Sequence, residues 1–253
     1  MEFVEANKIK VNNFICSDLN SDLINLWKCI KQKPQDLFKG YSALHQGLLE
    51  CANIDEKSIY YKNIRDRFNR DKNPIDFYFI NRTSYNGLIR YNSKGEYNTS
   101  FHLKRNGADE EKIKETIYYY SNILIKYDVS FICQPYNSVT PNINDLLYLD
   151  PPYEKSSSMY FNNFENADFL DWLSNINCPY FLSYDGKTDK LNKNIIIDRH
   201  LYDIHIYLKS GLSSFSQLKH NAVQVEESLY IKNVDASYID KQLKTNNVPK
   251  KLF

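Results

Sequence analysis

Two adjacent prolines decide where the middle of this chain must leave a sheet. The apolar run Leu146-Leu147-Tyr148-Leu149 reads as a buried strand, and it stops at Asp150-Pro151-Pro152-Tyr153, ahead of a polar stretch from Glu154 to Ser158. Neither proline has an N–H to give to a neighbouring strand and both fix φ, so the strand ends in a stiff loop whose carbonyls are aimed. Around this point strand-like and helix-like segments alternate. Val11 to Cys16 predicts a short buried strand ending at Ser17-Asp18, and Asn20 or Ser21 caps a helix through Leu23, Ile24, Leu26, Trp27 and Ile30 that stops before Pro34. Downstream, the pattern predicts a helix over Asp109 to Tyr127, a strand over Val129 to Cys133, a helix over Ala167 to Ile176 and a strand over Tyr180 to Tyr184. Further strands are expected at Ile195 to Ile197, Ile204 to Leu208 and Glu227 to Ile231, the last two as a hairpin. Such alternation implies an α/β sheet.

Residues 34–108 interrupt it. Pro34 suits the first turn of a helix over Gln35 to Cys51 with Leu37, Tyr41, Leu44 and Leu48 on one face. Helices over Asp55 to Arg70 and from Pro74 into Asn81 follow, and Ser84 to Phe101, with Asn86-Gly87 and Ser93-Lys94-Gly95, reads as a loop and a hairpin. The expected organisation is a core part at 1–33, a helical insertion at 34–108 and a second core part at 109–253. Glu2 to Ile9 reads as the last turns of a helix, and Asp240 to Phe253 as a loose tail.

The formal net charge is +1, so no global basic field marks the chain as a nucleic-acid binder and any such contact must be local. Five cysteines (Cys16, Cys29, Cys51, Cys133, Cys178) are odd in number and widely spaced, which indicates neither a disulfide framework nor a metal site and reads as buried thiols in a reducing compartment. No apolar run has the length of a membrane span and Met1-Glu2-Phe3-Val4-Glu5 is not a signal peptide, so the expectation is a cytoplasmic protein with no membrane partner.

The chemistry of Asp150-Pro151-Pro152-Tyr153 suits a holder for an amino nitrogen. An exocyclic amine on a nucleobase is a poor nucleophile because its lone pair is delocalised into the ring. A carboxylate and a backbone carbonyl that accept both N–H groups pull the nitrogen toward tetrahedral geometry and free the lone pair for in-line attack on a methyl group. Asp150 and the Pro151 carbonyl are the acceptors, Pro152 stiffens the loop, and Tyr153 offers a ring for a base that has left the duplex. The bland alternative is a strand end with turn residues. Asp18, at the end of an early strand, is placed to bind ribose hydroxyls or equally to cap the next helix.

Three ordered segments carry a resemblance: Cys16-Ser17-Asp18-Leu19-Asn20-Ser21-Asp22-Leu23-Ile24, then Asn81-Arg82-Thr83-Ser84-Tyr85-Asn86-Gly87-Leu88-Ile89-Arg90-Tyr91-Asn92, then the Asp-Pro-Pro-Tyr loop. Together they resemble the Dam-type (D12 class) DNA adenine-N6 methyltransferases, with Leu182 to Thr188 and Glu226 to Tyr230 similar to members that serve restriction-modification systems. The resemblance implies a Rossmann-like S-adenosylmethionine-dependent methyltransferase sheet with a helical recognition insertion, acting on double-stranded DNA. It implies that Asp18, Tyr136 and Asp150 serve the cofactor, that Tyr85 and Asn86 lie near the flipped base, that Arg90 reads a guanine and that Leu88 touches a thymine methyl. Arg65, Arg67, Arg70, Lys94, Lys104 and Arg105 are candidates for phosphate contacts. Standing alone, Asn86-Gly87 would be a helix stop and Arg90 a solvated charge.

The departures are equally specific. Members of the family begin with a lysine-bearing segment and a strand ending in a Phe-x-Gly-x-Gly loop against the cofactor, whereas the first glycine here is Gly40. The expectation is a sheet lacking its first, central strand, which a small polypeptide or an upstream segment would supply. Gln134-Pro135-Tyr136 stands where relatives have an acidic residue followed by Phe, and Ser100 where several have Pro, so a GATC-like target does not follow. The alternatives are a non-catalytic DNA-binding remnant of such an enzyme and a cytosine-N4 methyltransferase.

Overall fold

The computed structural model of the chain describes residues 11–152, 164–188, 197–212 and 224–235. By its contacts the chain divides into two units, Met1–Val139 and Thr140–Phe253.

The first unit is mostly helical around one parallel strand pair. Strand β1 (Ile15–Asp18) runs beside β2 (Ser130–Cys133) with Ile15 opposite Ser130 and Asp18 opposite Cys133. The strand ends at Asp18 as expected but starts at Ile15 instead of Val11, where the ladder with β2 begins after the Ser130 N–H donates to the Phe14 carbonyl at 2.8 Å, and its four residues are exposed, not buried. Helix α1 (Ser21–Gln32) is capped by Asn20, whose Oδ1 accepts from the Asp22 and Leu23 amides, satisfying two donors that the first turn leaves orphaned. Helix α2 (Pro34–Glu50) buries Leu37, Tyr41 and Leu48, and α3 (Ile54–Asp71) buries Tyr61, Ile64 and Phe68, both at helical spacing. In α4 (Pro74–Thr83) the consecutive residues Phe77, Tyr78, Phe79 and Ile80 are all buried, so this helix lies inside the unit instead of on its surface. Helix α5 (Glu110–Lys126) closes the core with Ile113, Ile117 and Leu124.

A carboxylate sits inside this core. Asp76, in the first turn of α4, is 3% exposed and receives two bonds from Arg67 of α3, Nε to Oδ2 at 2.7 Å and Nη2 to Oδ1 at 2.5 Å. The chain then returns to α2 through a tight segment: Tyr41 donates to the Ala108 carbonyl and Gly107 holds φ +101°. A Cβ at Gly107 would stand 3.1 Å from both Thr83 Cγ2 and Tyr41 Oη. Gly107→Ala is therefore expected to lower stability by about 1–3 kcal/mol from backbone strain, read by urea denaturation. A variant as stable as the parent would show that the conformation is not required.

In the second unit a four-stranded sheet has the order β3-β4-β6-β5, where β3 is Leu147–Leu149, β4 Tyr180–Thr188, β5 Ile204–Leu212 and β6 Gln224–Lys232. Strands β3 and β4 are parallel, and β6 is antiparallel to both β4 and β5. Helix α6 (Asn166–Ser174) links β3 to β4 and buries Phe169 and Leu173, while Tyr180, Leu182 and Tyr184 of β4 are buried in the sheet. The β5–β6 hairpin is present and longer than expected. Ile197 is not in a strand, and Ile195 and Ile196 lie outside the described residues, as do Glu2 to Ile9 and the tail from Asp240.

Two strands keep an open side. Among the described residues β1 pairs only with β2 and β3 only with β4. Parallel strands are normally covered on both faces, yet Ile15 of β1 is 64% exposed and Tyr148 of β3 is 69% exposed. The same openness corrects the reading of the cysteines as buried. Cys16 and Cys133, on β1 and β2, are exposed, Cys29 and Cys51 are half-buried, and Cys178 is buried; all five are free thiols. No described helix is long and apolar enough to cross a membrane.

Candidate active site and nucleic-acid interface

Asp18 is the last residue of β1, paired with the last residue of β2, so the loops that follow begin side by side. The Gln134 N–H donates to the Asp18 carbonyl at 3.2 Å, and Tyr136, half-buried, opens a 3-10 turn over Tyr136–Ser138. The Asp18 side chain is exposed and its Oδ1 accepts from the Asn20 amide at 2.7 Å. The helix-capping role belongs to Asn20, which leaves Asp18 as a strand-end carboxylate. The structure thus brings Asp18 and the Gln134–Tyr136 segment to one carboxyl-terminal edge, where α/β sheets bind ligands.

The residues singled out between Tyr85 and Arg90 belong to one continuous feature. Tyr85, Asn86 and Gly87 make a 3-10 turn in which Asn86 and Gly87 both adopt positive φ (56° and 63°), locked by the Asn81 amide donating to the Gly87 carbonyl at 2.8 Å. Tyr85 is 40% exposed and its ring stacks on His102. Leu88 is half-buried; its carbonyl accepts from Tyr97 Oη at 2.9 Å and Thr99 Oγ1 at 2.8 Å. A short ribbon follows, with an isolated bridge between Tyr91 and Tyr97, and the Asn98 N–H donates to the Arg90 carbonyl. Its turn is held by Asn92, whose Oδ1 accepts from Lys94 and Glu96 amides, with Gly95 at φ +75°. Asn69 of α3 clamps the ribbon by pairing with both the N–H and the carbonyl of Tyr97, at 2.8 and 3.1 Å.

The phosphate candidates separate. Arg67 is committed to Asp76 and is a structural residue. Arg65 and Arg70 line an open groove of about 350 Å³ with Asn69, Asn92, Glu96 and Asn98, so they stand beside the ribbon.

One further contact links the ribbon to the strand-end loop. Tyr91 donates to Asp22 Oδ2 at 2.8 Å, with Asn20 Oδ1 at 3.3 Å. Asp22 is 8% exposed and also faces Lys72 at 3.7 Å. Burial, followed by the charge of Asp22, pushes the Tyr91 phenol far up, so it remains a donor.

In the second unit Asp150 directly follows β3, Pro151 is buried and Pro152 half-buried, while Tyr153 and Glu154 to Ser158 lie outside the described residues. The Asp150 carboxyl is open to solvent, yet partial burial and then the charge of Glu227 on β6 raise its pKa above the usual carboxylate range. Asn69 and Asn98 carried no functional signal in the sequence, because their partners are brought to them by the fold.

The helices and sheets make a mixed α/β protein, with Asp18 ending one parallel strand and Asp150 following another. A match to the family described as D12 class N6 adenine-specific DNA methyltransferase covers residues 3–175, and the chain belongs to that family. It is similar to the Type II methyltransferase M.MjaIII of Methanocaldococcus jannaschii, 33% identical over 183 residues, or 67% of this chain and 60% of that protein. It is also similar to the DNA adenine methylase of Escherichia coli K12, 28% identical over 62% of this chain and 56% of that protein, and to the modification methylase StsI of Streptococcus sanguinis, 25% identical over 83% of this chain and 35% of that protein. The chain thus spans less than two thirds of the length of each of these relatives.

Proposed function

We propose that this chain is the catalytic and target-recognition part of a site-specific DNA methyltransferase that moves a methyl group from S-adenosylmethionine to adenine N6 of a flipped base in duplex DNA. The observation that carries the reading is Asp150-Pro151-Pro152 at the carboxyl end of β3, in a chain that belongs to an adenine-specific family. Asp150 and the Pro151 carbonyl accept the two amine hydrogens, and Tyr153 stacks on the base. Tyr85 and Asn86 attend the flipped base, Leu88 meets a thymine methyl and Arg90 reads a guanine.

Family membership implies a methyl donor. The exposed Asp18 carboxylate suits the ribose hydroxyls of S-adenosylmethionine and the half-buried Tyr136 ring suits its adenine, both at the same strand edge. When bound, the cofactor supplies an electrophilic methyl group. The residues that would face its methionine part in relatives, a glycine loop, have no counterpart before Gly40. We also propose that a further glycine-bearing strand, from another polypeptide or from residues upstream, pairs along the open side of β1. The pairing of β1 with β2 alone among the described residues and the exposure of Ile15 support this, since an uncovered parallel edge is a template for another strand.

The test is mass-spectrometric detection of N6-methyladenine and N4-methylcytosine in unmethylated genomic DNA incubated with S-adenosylmethionine and the chain, alone and with an added glycine-bearing strand segment. Methylated adenine only with the segment supports both proposals. Methylated adenine from the chain alone supports the function and removes the need for the extra strand. Methylated cytosine would change the substrate, and no methylation in either arm would sink the enzymatic reading in favour of a DNA-binding remnant.

A further inference from the structure

The feature the proposed reading does not absorb is a side chain beside Arg90. Arginine offers five N–H donors on two usable edges, one formed by Nε and Nη2 and the other by the two terminal nitrogens. Arg90 Nε donates to Asn98 Oδ1 at 2.9 Å, and its Nη2 donates to the Asn98 carbonyl at 3.3 Å. The whole side edge is thereby taken by one residue. The end edge, an N–H from each of Nη1 and Nη2, is the pair of donors that guanine O6 and N7 accept.

The holder is itself fixed. Asn98 lies between Tyr97, 1% exposed, and Thr99, 3% exposed, both anchored on the Leu88 carbonyl. Its own amide bonds the Arg90 carbonyl at 3.0 Å, and Asn69 clamps the residue before it. A long side chain that must be ordered on binding loses rotamer freedom worth roughly three- to tenfold in affinity. One already docked on a rigid ribbon loses less. Asparagine is also neutral, so it fixes the guanidinium without cancelling the charge that DNA attracts.

We infer that Asn98 is a positioning residue for target specificity: it holds the Arg90 fork with its side edge occupied and its end edge presented to a guanine. This rests on the reading of Arg90 as a guanine reader. It requires no contact between Asn98 and DNA.

The experiment is selection of bound sequences from a randomised duplex pool by the full 253-residue chain and by its Arg90→Ala, Asn98→Ala and Asn98→Asp variants, each checked for an unchanged melting temperature. The readout is the ratio of guanine to other bases at each enriched position, which a general loss of folded protein does not move. Arg90→Ala should erase one guanine position. Asn98→Ala should weaken discrimination at that same position, about three- to tenfold, and Asn98→Asp, which keeps the acceptor, should restore it while lowering affinity for every sequence. Full discrimination in Asn98→Ala alongside its loss in Arg90→Ala overturns the positioning role and leaves the reading of Arg90 intact. A change at a different position would mean that Asn98 reads a base itself, and failure of Asn98→Asp to restore the ratio would mean that its acceptor is not what matters; either overturns the inference. No guanine position in the parent chain, or one that Arg90→Ala leaves untouched, overturns the reading of Arg90 and the inference with it.

Discussion

Asp150→Ala should reduce methyl transfer by about a thousandfold or more while duplex binding persists. A preorganised acceptor aimed at charge that develops only in the transition state is worth roughly two to three orders of magnitude on its own, and here it also fixes the attacking nitrogen. Because the carboxylate must be ionised to accept, the acid limb of the reaction should follow the Asp150 carboxyl, which partial burial and then Glu227 hold above the ordinary carboxylate range. Activity is therefore lost as pH falls through that raised value, earlier than an unperturbed Asp would allow, and Glu227→Gln should move the limb to lower pH. The same shift runs against the fold. A carboxyl whose folded pKa lies above its unfolded one contributes stability below the unfolded value and loses it as pH rises through the folded one, so Asp150→Asn should melt no lower than the parent at neutral pH. Single-turnover rates across pH with the complete cofactor site are the measurement. Transfer retained by Asp150→Ala would end the proposed chemistry, and an acid limb indifferent to Glu227→Gln would assign it to another group.

The second large effect is on stability. Arg67→Ala should cost about 3 kcal/mol, because it strands the carboxylate of Asp76, 3% exposed, inside the helical unit. The reverse deletion leaves a cation that is 42% exposed and can turn to water, so Asp76→Asn should cost less. The double variant should recover part of the loss, as coupled neighbours do. Urea denaturation of the four proteins reads this directly. An Arg67→Ala protein of parental stability that has lost affinity for duplex DNA would make Arg67 a phosphate contact after all.

Most helices were legible because their buried residues repeat at helical spacing, as in α2 and α3, or because Asn or Pro marks the start: Asn20 before α1, Pro34 in α2, Pro74 in α4. The Asp-Pro-Pro loop marked the end of β3 for the same local reason. What escaped was decided by partners distant in sequence. Strand β1 starts only at Ile15 because β2 sets its register, and the exposure of Cys16 and Cys133 follows from an open strand pair, neither of which residue type announces. Arg67 looked like any other basic residue near the hairpin until Asp76 folded against it. The charge of Glu227 acts on Asp150 only because β6 lies in the same sheet, one strand beyond β4.

The ribbon from Arg90 to Ser100 divides its labour by strand pleat. Tyr97 and Thr99 point inward and carry the anchoring bonds, while Asn98 is half-buried and Ser100 exposed. Successive residues of an extended chain face opposite sides, so the outer positions, which on the proposed reading serve target recognition, alternate with those that anchor the ribbon. Such a ribbon can acquire a new preference by single replacements on its outer face, each nearly neutral for folding, and diversification of target sequence is then limited by selection for a useful site and not by the stability of the protein that reads it.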